Sequence, residues 1–195
     1  MRKLFSLFLL IITIGIFAQN KWEIKFHNET SNGEYFIYAD NDEFMPISAK
    51  FNFILENLTS SLSDDEIVII PPRTKRFLVA TIKPIDRFAP NKIEYRNTYN
   101  FGNTLQENFD EDYVYSLPFE SGKTHLVFQG YNGKLSHKNE FSLDFNLKTG
   151  DKIFAAREGT VVEIVNSNKK NCANISCAKF NNKIVVMHQD GTLAD

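Results

Sequence analysis

Ile47-Ser48-Ala49-Lys50-Phe51-Asn52-Phe53-Ile54-Leu55-Glu56 carries a period of two. Ile47, Ala49, Phe51, Phe53 and Leu55 fall on one face, and Ser48, Lys50, Asn52, Ile54 and Glu56 on the other. Successive side chains of an extended backbone point to opposite faces, so this alternation marks a strand with one side in a core. A second stretch follows the same rule: Ile93, Tyr95, Tyr99 and Phe101 alternate with Glu94, Arg96, Thr98 and Asn100. Tyr35 to Ala39, Ile67 to Ile70 and Phe77 to Lys83 read as further strands, punctuated by Pro71-Pro72, Asn91 and Gly102-Asn103. Helical periodicity is almost absent, although Leu55 to Leu62 suits a short turn of helix. The expected fold class is all-β, and short strands at this spacing predict an immunoglobulin-like β-sandwich over residues 19–110. The acidic stretch Glu107 to Asp112 reads as a linker to a second unit over residues 114–195.

That second unit holds the residues with the most chemistry. Gly130-Tyr131-Asn132-Gly133-Lys134-Leu135-Ser136-His137 ends a glycine-bearing turn in a histidine, and Phe141-Ser142-Leu143-Asp144-Phe145 follows. Alternation there predicts a strand with Phe141, Leu143 and Phe145 on the core face and Asp144 on the opposite one. A carboxylate inside an apolar strand is costly unless it is paired, hydrogen-bonded or bound to a metal. Neutral imidazole and carboxylate are two ligand types of catalytic zinc sites, so His137 and Asp144 are candidate metal ligands.

The motifs around this pair occur in a recognisable order. Pro118-Phe119, Gln129-Gly130, Ser136-His137 and Leu143-Asp144-Phe145 lead to Thr149-Gly150-Asp151-Lys152-Ile153-Phe154-Ala155-Ala156-Arg157-Glu158-Gly159-Thr160-Val161-Val162. Lys183-Ile184-Val185-Val186-Met187-His188-Gln189-Asp190-Gly191-Thr192 closes the run. Over residues 117–195 the chain resembles the lysostaphin/LytM-type zinc endopeptidases, which cleave peptide cross-links of peptidoglycan. The resemblance implies an incomplete antiparallel β-sheet peptidase core over 114–195, zinc as cofactor, His137 and Asp144 as its ligands, and peptidoglycan peptide stems as partner.

Two departures from the family pattern matter. The usual first motif is His-x-x-x-Asp, whereas six residues separate His137 from Asp144; Lys138 to Glu140 read as a longer turn. Family members also continue into Tyr-x-His-Leu and His-x-His segments, the last supplying the third zinc ligand and a catalytic histidine, and Asp195 precedes both. The catalytic residues are therefore expected beyond Asp195. A hydrolytic zinc uses three protein ligands and keeps one open position, so these 195 residues alone are expected not to hydrolyse peptidoglycan.

Met1-Arg2-Lys3 followed by apolar Leu4 to Phe17 and then Ala18 has the form of a secretory signal peptide over residues 1–18. The apolar run is shorter than the ~20 residues a spanning helix needs, and no cysteine follows it to accept a lipid. A secreted or periplasmic protein with no stable membrane span after signal removal is expected. In an oxidising compartment Cys172 and Cys177, close in sequence, are expected to form a disulfide that staples a loop between strands at Val161 to Val165 and Ile184 to His188. The four-residue spacer also suits a metal, but no second pair of ligands lies nearby.

A formal net charge of −2 and a pI near 6.1 argue against nucleic acid as a partner. Among the other histidines, His27 is solitary and reads as a surface or packing residue. His125 lies in an apparent strand, Thr124 to Phe128, and reads as structural or exposed. His188 ends a strand before an Asp190-Gly191 hairpin turn and reads as structural. Two functional classes follow: a secreted zinc endopeptidase acting on cell wall, or a non-catalytic relative that binds cell wall or activates another hydrolase.

Overall fold

Asn32 and Gly33, with φ of 52° and 77°, turn the chain between β1 (Ile24–Ser31) and β2 (Glu34–Asn41). Positive φ at both central residues of a two-residue turn matches the twist of the flanking strands, which makes Asn-Gly a strong hairpin signal. A computed structural model of the chain describes residues 24–170 and 175–195, so the predicted signal peptide lies outside the described residues.

The architecture is all-β. Five strands follow the hairpin: β3 (Ile47–Glu56), β4 (Leu58–Ser60), β5 (Ile67–Ile70), β6 (Thr74–Pro84) and β7 (Lys92–Phe101). They form two antiparallel sheets, ordered β1-β2-β6-β4 and β5-β3-β7. This four-plus-three layering is that of immunoglobulin domains. One difference is that β5 lies beside β3, where an immunoglobulin domain would add a strand beyond β7.

The faces follow the sequence alternation. Ile37, Ala39 and Ile82 from one sheet and Ile47, Ala49, Phe51 and Ile70 from the other are all 0% exposed and share one core. Asn41 is equally buried and its side chain is saturated: Nδ2 donates to the carbonyls of Met45 (3.0 Å), Ile70 (3.3 Å) and Pro71 (3.0 Å), while Oδ1 accepts from Glu43 N–H (3.0 Å). A buried amide is tolerated only with its partners in place, and here it ties the β2–β3 turn to the end of β5.

The short helix suggested for Leu55 to Leu62 does not form. Asn57 takes a φ of 53° between β3 and β4, a left-handed conformation that breaks any helix there. Its Nδ2 donates to Asp86 O at 2.7 Å and its Oδ1 accepts from Asp86 N at 2.9 Å, pinning the loop after β6.

The rest of the chain has shorter strands. β8 (Val127–Gln129) and β9 (Asp144–Phe145) form a two-stranded ladder, and β10 (Thr160–Val165), β11 (Lys183–Met187) and β12 (Leu193–Ala194) form a third antiparallel group. A 3₁₀ turn, Ile175–Phe180, lies between β10 and β11. The predicted strand over Phe141 to Phe145 is realised only in its last two residues, and Phe141 is exposed with its ring on Tyr131, 5.7 Å between centroids. Turn hydrogen bonds occupy the preceding backbone instead: Asn132 N donates to Glu140 O (3.2 Å) and Glu140 N to His137 O (3.0 Å). Met45 from the sandwich packs with Val162 and Val185, flanked by Phe101 and Met187, so the β10–β12 group and the sandwich share a small apolar cluster.

Candidate metal centre

The fourteen residues between β8 and β9 form a loop that brings His137 back over the ladder. Asn132 and Asn139 take φ of 56° and 62°, and Asn139 N donates to Asn132 Oδ1 at 3.2 Å, so two left-handed asparagines close the loop. His137 to Glu140 form a turn ahead of Asp144, with Glu140 N donating to His137 O. In the ladder Asp144 pairs directly with Gln129, across a bulge that lies between Val127 and Gln129. Bulges re-aim side chains, and this one stands beside the polar cluster.

His137 Nε2 lies 3.3 Å from Asp144 Oδ1, with the histidine side chain 10% exposed and the aspartate 48%. His137 Nδ1 lies 3.2 Å from Gly130 O, a carbonyl that can only accept, so Nδ1 carries a hydrogen and Nε2 is the ring atom turned to the carboxylate. The separation exceeds the ~2.7–2.9 Å of a charge-assisted hydrogen bond. Two ligand atoms each ~2.0–2.1 Å from a tetrahedral zinc stand roughly 3.3–3.4 Å apart, so the pair fits two corners of such a site. Its arrangement, with Nδ1–H held by a backbone carbonyl, is the usual outer support of a metal-binding histidine. Among the described residues, no group of three or more His, Cys, Asp or Glu side chains is arranged to hold a metal, and His137 with Asp144 is one short of the three protein ligands that a hydrolytic zinc uses.

An open groove of about 580 Å³ runs beside Asp144, lined by Pro118, Phe128, Leu143, Phe145, Leu147 and Ile153. Apolar residues make up most of its lining, and Asp144 and Asn146 are its polar members.

The other sequence-selected residues lie elsewhere. His125 sits on Phe119, 4.6 Å between ring centroids, with Nδ1 3.3 Å from Asn146 O. His188 is 4% exposed; its Nδ1 lies 2.8 Å from Glu158 O, and its Nε2 is buried without a hydrogen-bond partner. Tyr115 meets the His188 ring edge-on at 5.9 Å. Cys177 is disulfide-bonded, whereas Cys172, the chain's only other cysteine, lies outside the described residues.

Arg157 and Asp190 form the tightest ion pair near these rings. Arg157 Nη2 donates to Asp190 Oδ2 at 2.7 Å, and the guanidinium lies 4.0 Å from the Tyr113 ring centroid. Asp190 Oδ1 accepts from Thr192 Oγ1 (2.7 Å) and Thr192 N (3.1 Å). These Thr192 bonds, together with Arg157, hold the Asp190 carboxyl at about 2, below its ordinary 3.8. A depressed carboxylate stabilises the folded state above its unfolded pKa, and that contribution is lost as pH falls through the folded value. The stability difference between the native chain and Asp190→Asn is therefore expected to be full at pH 5 and to shrink as pH falls from about 4 to 2. Urea titrations at both ends of that window check this, and a pH-independent difference contradicts it.

Sequence reading identifies His137 and Asp144 but passes over Gln129, which contacts both the loop and the carboxylate. No spacing rule singles out a lone glutamine, and its only signal is its place in the Gln129-Gly130 step. Compared with known proteins, the chain matches no family model, no curated protein and no solved structure. Among the described residues no helix is long and apolar enough to cross a membrane.

Proposed function

We propose that this chain belongs to an exported zinc-dependent endopeptidase that acts on the peptide cross-links of peptidoglycan, with His137 and Asp144 as two of its metal ligands. The observation that carries the reading is the 3.3 Å approach of His137 Nε2 to Asp144 Oδ1, with Nδ1 turned to Gly130 O. Zinc at such a pair supplies Lewis-acid polarisation of a peptide carbonyl and a nucleophile at neutral pH. The chain's own residues do the rest. Gly130 O fixes the tautomer and ring orientation of His137, and burial of that ring limits its rotation. The groove along Leu143, Phe145 and Leu147 offers an extended surface for a peptide whose scissile bond lies over Asp144. The family resemblance of residues 117–195 adds peptidoglycan stems as the substrate class, and the leader-like first 18 residues add export.

Zinc titration followed by NMR tests the reading at its base. Zinc is expected to shift the His137 ring resonances saturably in the native chain, and Asp144→Ala is expected to abolish the shift. Saturable shifts confined to His27 or His125 would remove the assignment. In the product of the complete coding frame, His137→Ala is expected to abolish hydrolysis of purified cell wall, and unchanged hydrolysis sinks the endopeptidase reading.

A further inference from the structure

Every hydrogen-bonding position of the Gln129 side chain is engaged, in a residue only 7% exposed. Oε1 accepts from Leu135 N–H (3.0 Å) and Ser136 N–H (3.2 Å). Nε2 donates to Ser136 Oγ (2.9 Å) and Asp144 Oδ2 (3.0 Å). The orientation of the amide follows from these partners, because two backbone N–H groups require an acceptor and a carboxylate requires a donor. Two lone pairs and two hydrogens meet four partners, so nothing is left over.

The backbone leaves room for this arrangement. A Cβ added at Gly133 would lie 2.3 Å from Gln129 Cγ and 2.7 Å from both Cδ and Oε1. Any side chain at 133 displaces the amide, and displacement breaks bonds on both of its ends. Glycine at 133 is thus required by the packing of Gln129.

The consequence lies at Asp144. Its Oδ2 is held by Gln129, and its Oδ1 faces His137 Nε2. Oε1 and one Nε2 hydrogen brace the 130–136 loop, whereas the second Nε2 hydrogen goes to the Asp144 carboxylate and does not touch that loop. We propose that Gln129 is a positioning residue of the metal centre, holding Asp144 by Oδ2 so that Oδ1 alone is presented, beside His137 Nε2, as a one-oxygen ligand. This rests on the zinc-site reading of His137 and Asp144 and assigns it a further residue. Partners that orient ligating carboxylates are worth about 10–100-fold in metal affinity.

Three variants separate the role from simple bracing. Gln129→Met keeps the length of the side chain and loses all four bonds. Gly133→Ala keeps the amide and displaces it. Ser136→Ala removes one hydroxyl and leaves the Asp144 contact. Zinc is titrated against each folded protein, with the His137 ring resonances as the readout, and cobalt(II) is then substituted so that its visible bands report coordination geometry. Gln129→Met and Gly133→Ala are expected to bind zinc about 10–100-fold more weakly, with Ser136→Ala close to native. The cobalt spectrum of Gln129→Met is expected to move toward higher coordination as Oδ2 is released. Should Gln129→Met fail to fold, Gly133→Ala carries the same comparison. Native-like affinity in both variants overturns the proposal while leaving the zinc reading intact, and so does weakened affinity with an unchanged cobalt spectrum. If the native chain itself shows no zinc response at His137, the underlying reading falls and the proposal with it.

Discussion

Phe51→Ala is expected to lower the unfolding free energy by about 3–5 kcal/mol. Phe51 is completely buried at the middle of β3 and touches both sheets. Its ring meets Phe26 of β1 edge-on, 5.2 Å between centroids at 89°, and lies 5.7 Å from Tyr95 of β7 at 50°. Phe53, on the same strand, stacks at 6.0 Å. Truncation removes the apolar area of the ring and leaves a cavity that β-strands pinned by ladders cannot collapse to fill. The edge-on aromatic pairs add about 0.5–1.5 kcal/mol beyond area. Ile54, next along the chain, gives the internal control: it points outward and is exposed, so Ile54→Ala is expected to change stability by less than about 0.5 kcal/mol. Urea denaturation followed by circular dichroism reads both. A Phe51→Ala loss no larger than that of Ile54→Ala would show that the two sheets do not share this core.

That contrast between neighbours also shows what the sequence makes legible. In β3 every second residue is apolar over ten positions, and β7 follows the same pattern with Asn97 as its one exception, an alternation that a half-buried antiparallel ladder satisfies. β5 and β6 are legible instead as short continuous apolar runs, Ile67 to Ile70 and Phe77 to Ala80, set off by Pro71-Pro72. β1 is harder to see, because Asn28 and Thr30 fall on the face begun by Ile24 and Phe26, and its best signal is the Asn32-Gly33 turn that ends it. The strands expected at Val161 to Val165 and Ile184 to His188 form as β10 and β11, but before Asp144 the pattern misleads. Phe141 and Leu143 alternate correctly, yet no ladder partner extends beside them, and only Asp144–Phe145 is strand. Local alternation needs a neighbouring strand to become a sheet, and that neighbour is not encoded locally.

The candidate centre divides along the same line. His137 and Asp144 are visible as residue types whose chemistry suits a metal, and their meeting depends on a loop whose Asn132 and Asn139 take left-handed conformations. Gln129 is invisible as a type, and only the cross-strand pairing of 129 with 144 reveals what it holds. Asp190 and Arg157 are similarly separated in sequence and joined through the β11–β12 turn.

Gly159→Ala is expected to cost about 1–3 kcal/mol and to act on one sheet only. A Cβ at 159 would stand 2.5 Å from Met187 O and 2.6 Å from Val186 Cγ1. The carbonyl is backbone of β11, which pairs with β10 immediately after Gly159, so it cannot withdraw without opening the Thr160↔Met187 end of that ladder. The strain also falls on neighbours in sequence. Glu158 O accepts from His188 Nδ1 at 2.8 Å, and Arg157 reaches Asp190 at 2.7 Å. Displacing residue 159 therefore loosens the His188 ring and the ion pair together. Amide exchange is expected to accelerate across Val161 to Val165 and Ile184 to Met187, while β2, β3 and β6 keep native protection. β8 and β9 share no ladder with β10–β12, so the zinc response of His137 is expected to survive in Gly159→Ala. Native protection in β10 and β11 would show that the close approach at Gly159 is relieved by a small shift. Lost response at His137 would instead show that the two short sheets are coupled through the 116–118 and 154–156 segments, which exchange the Ser116 N to Ala156 O and Phe154 N to Pro118 O hydrogen bonds.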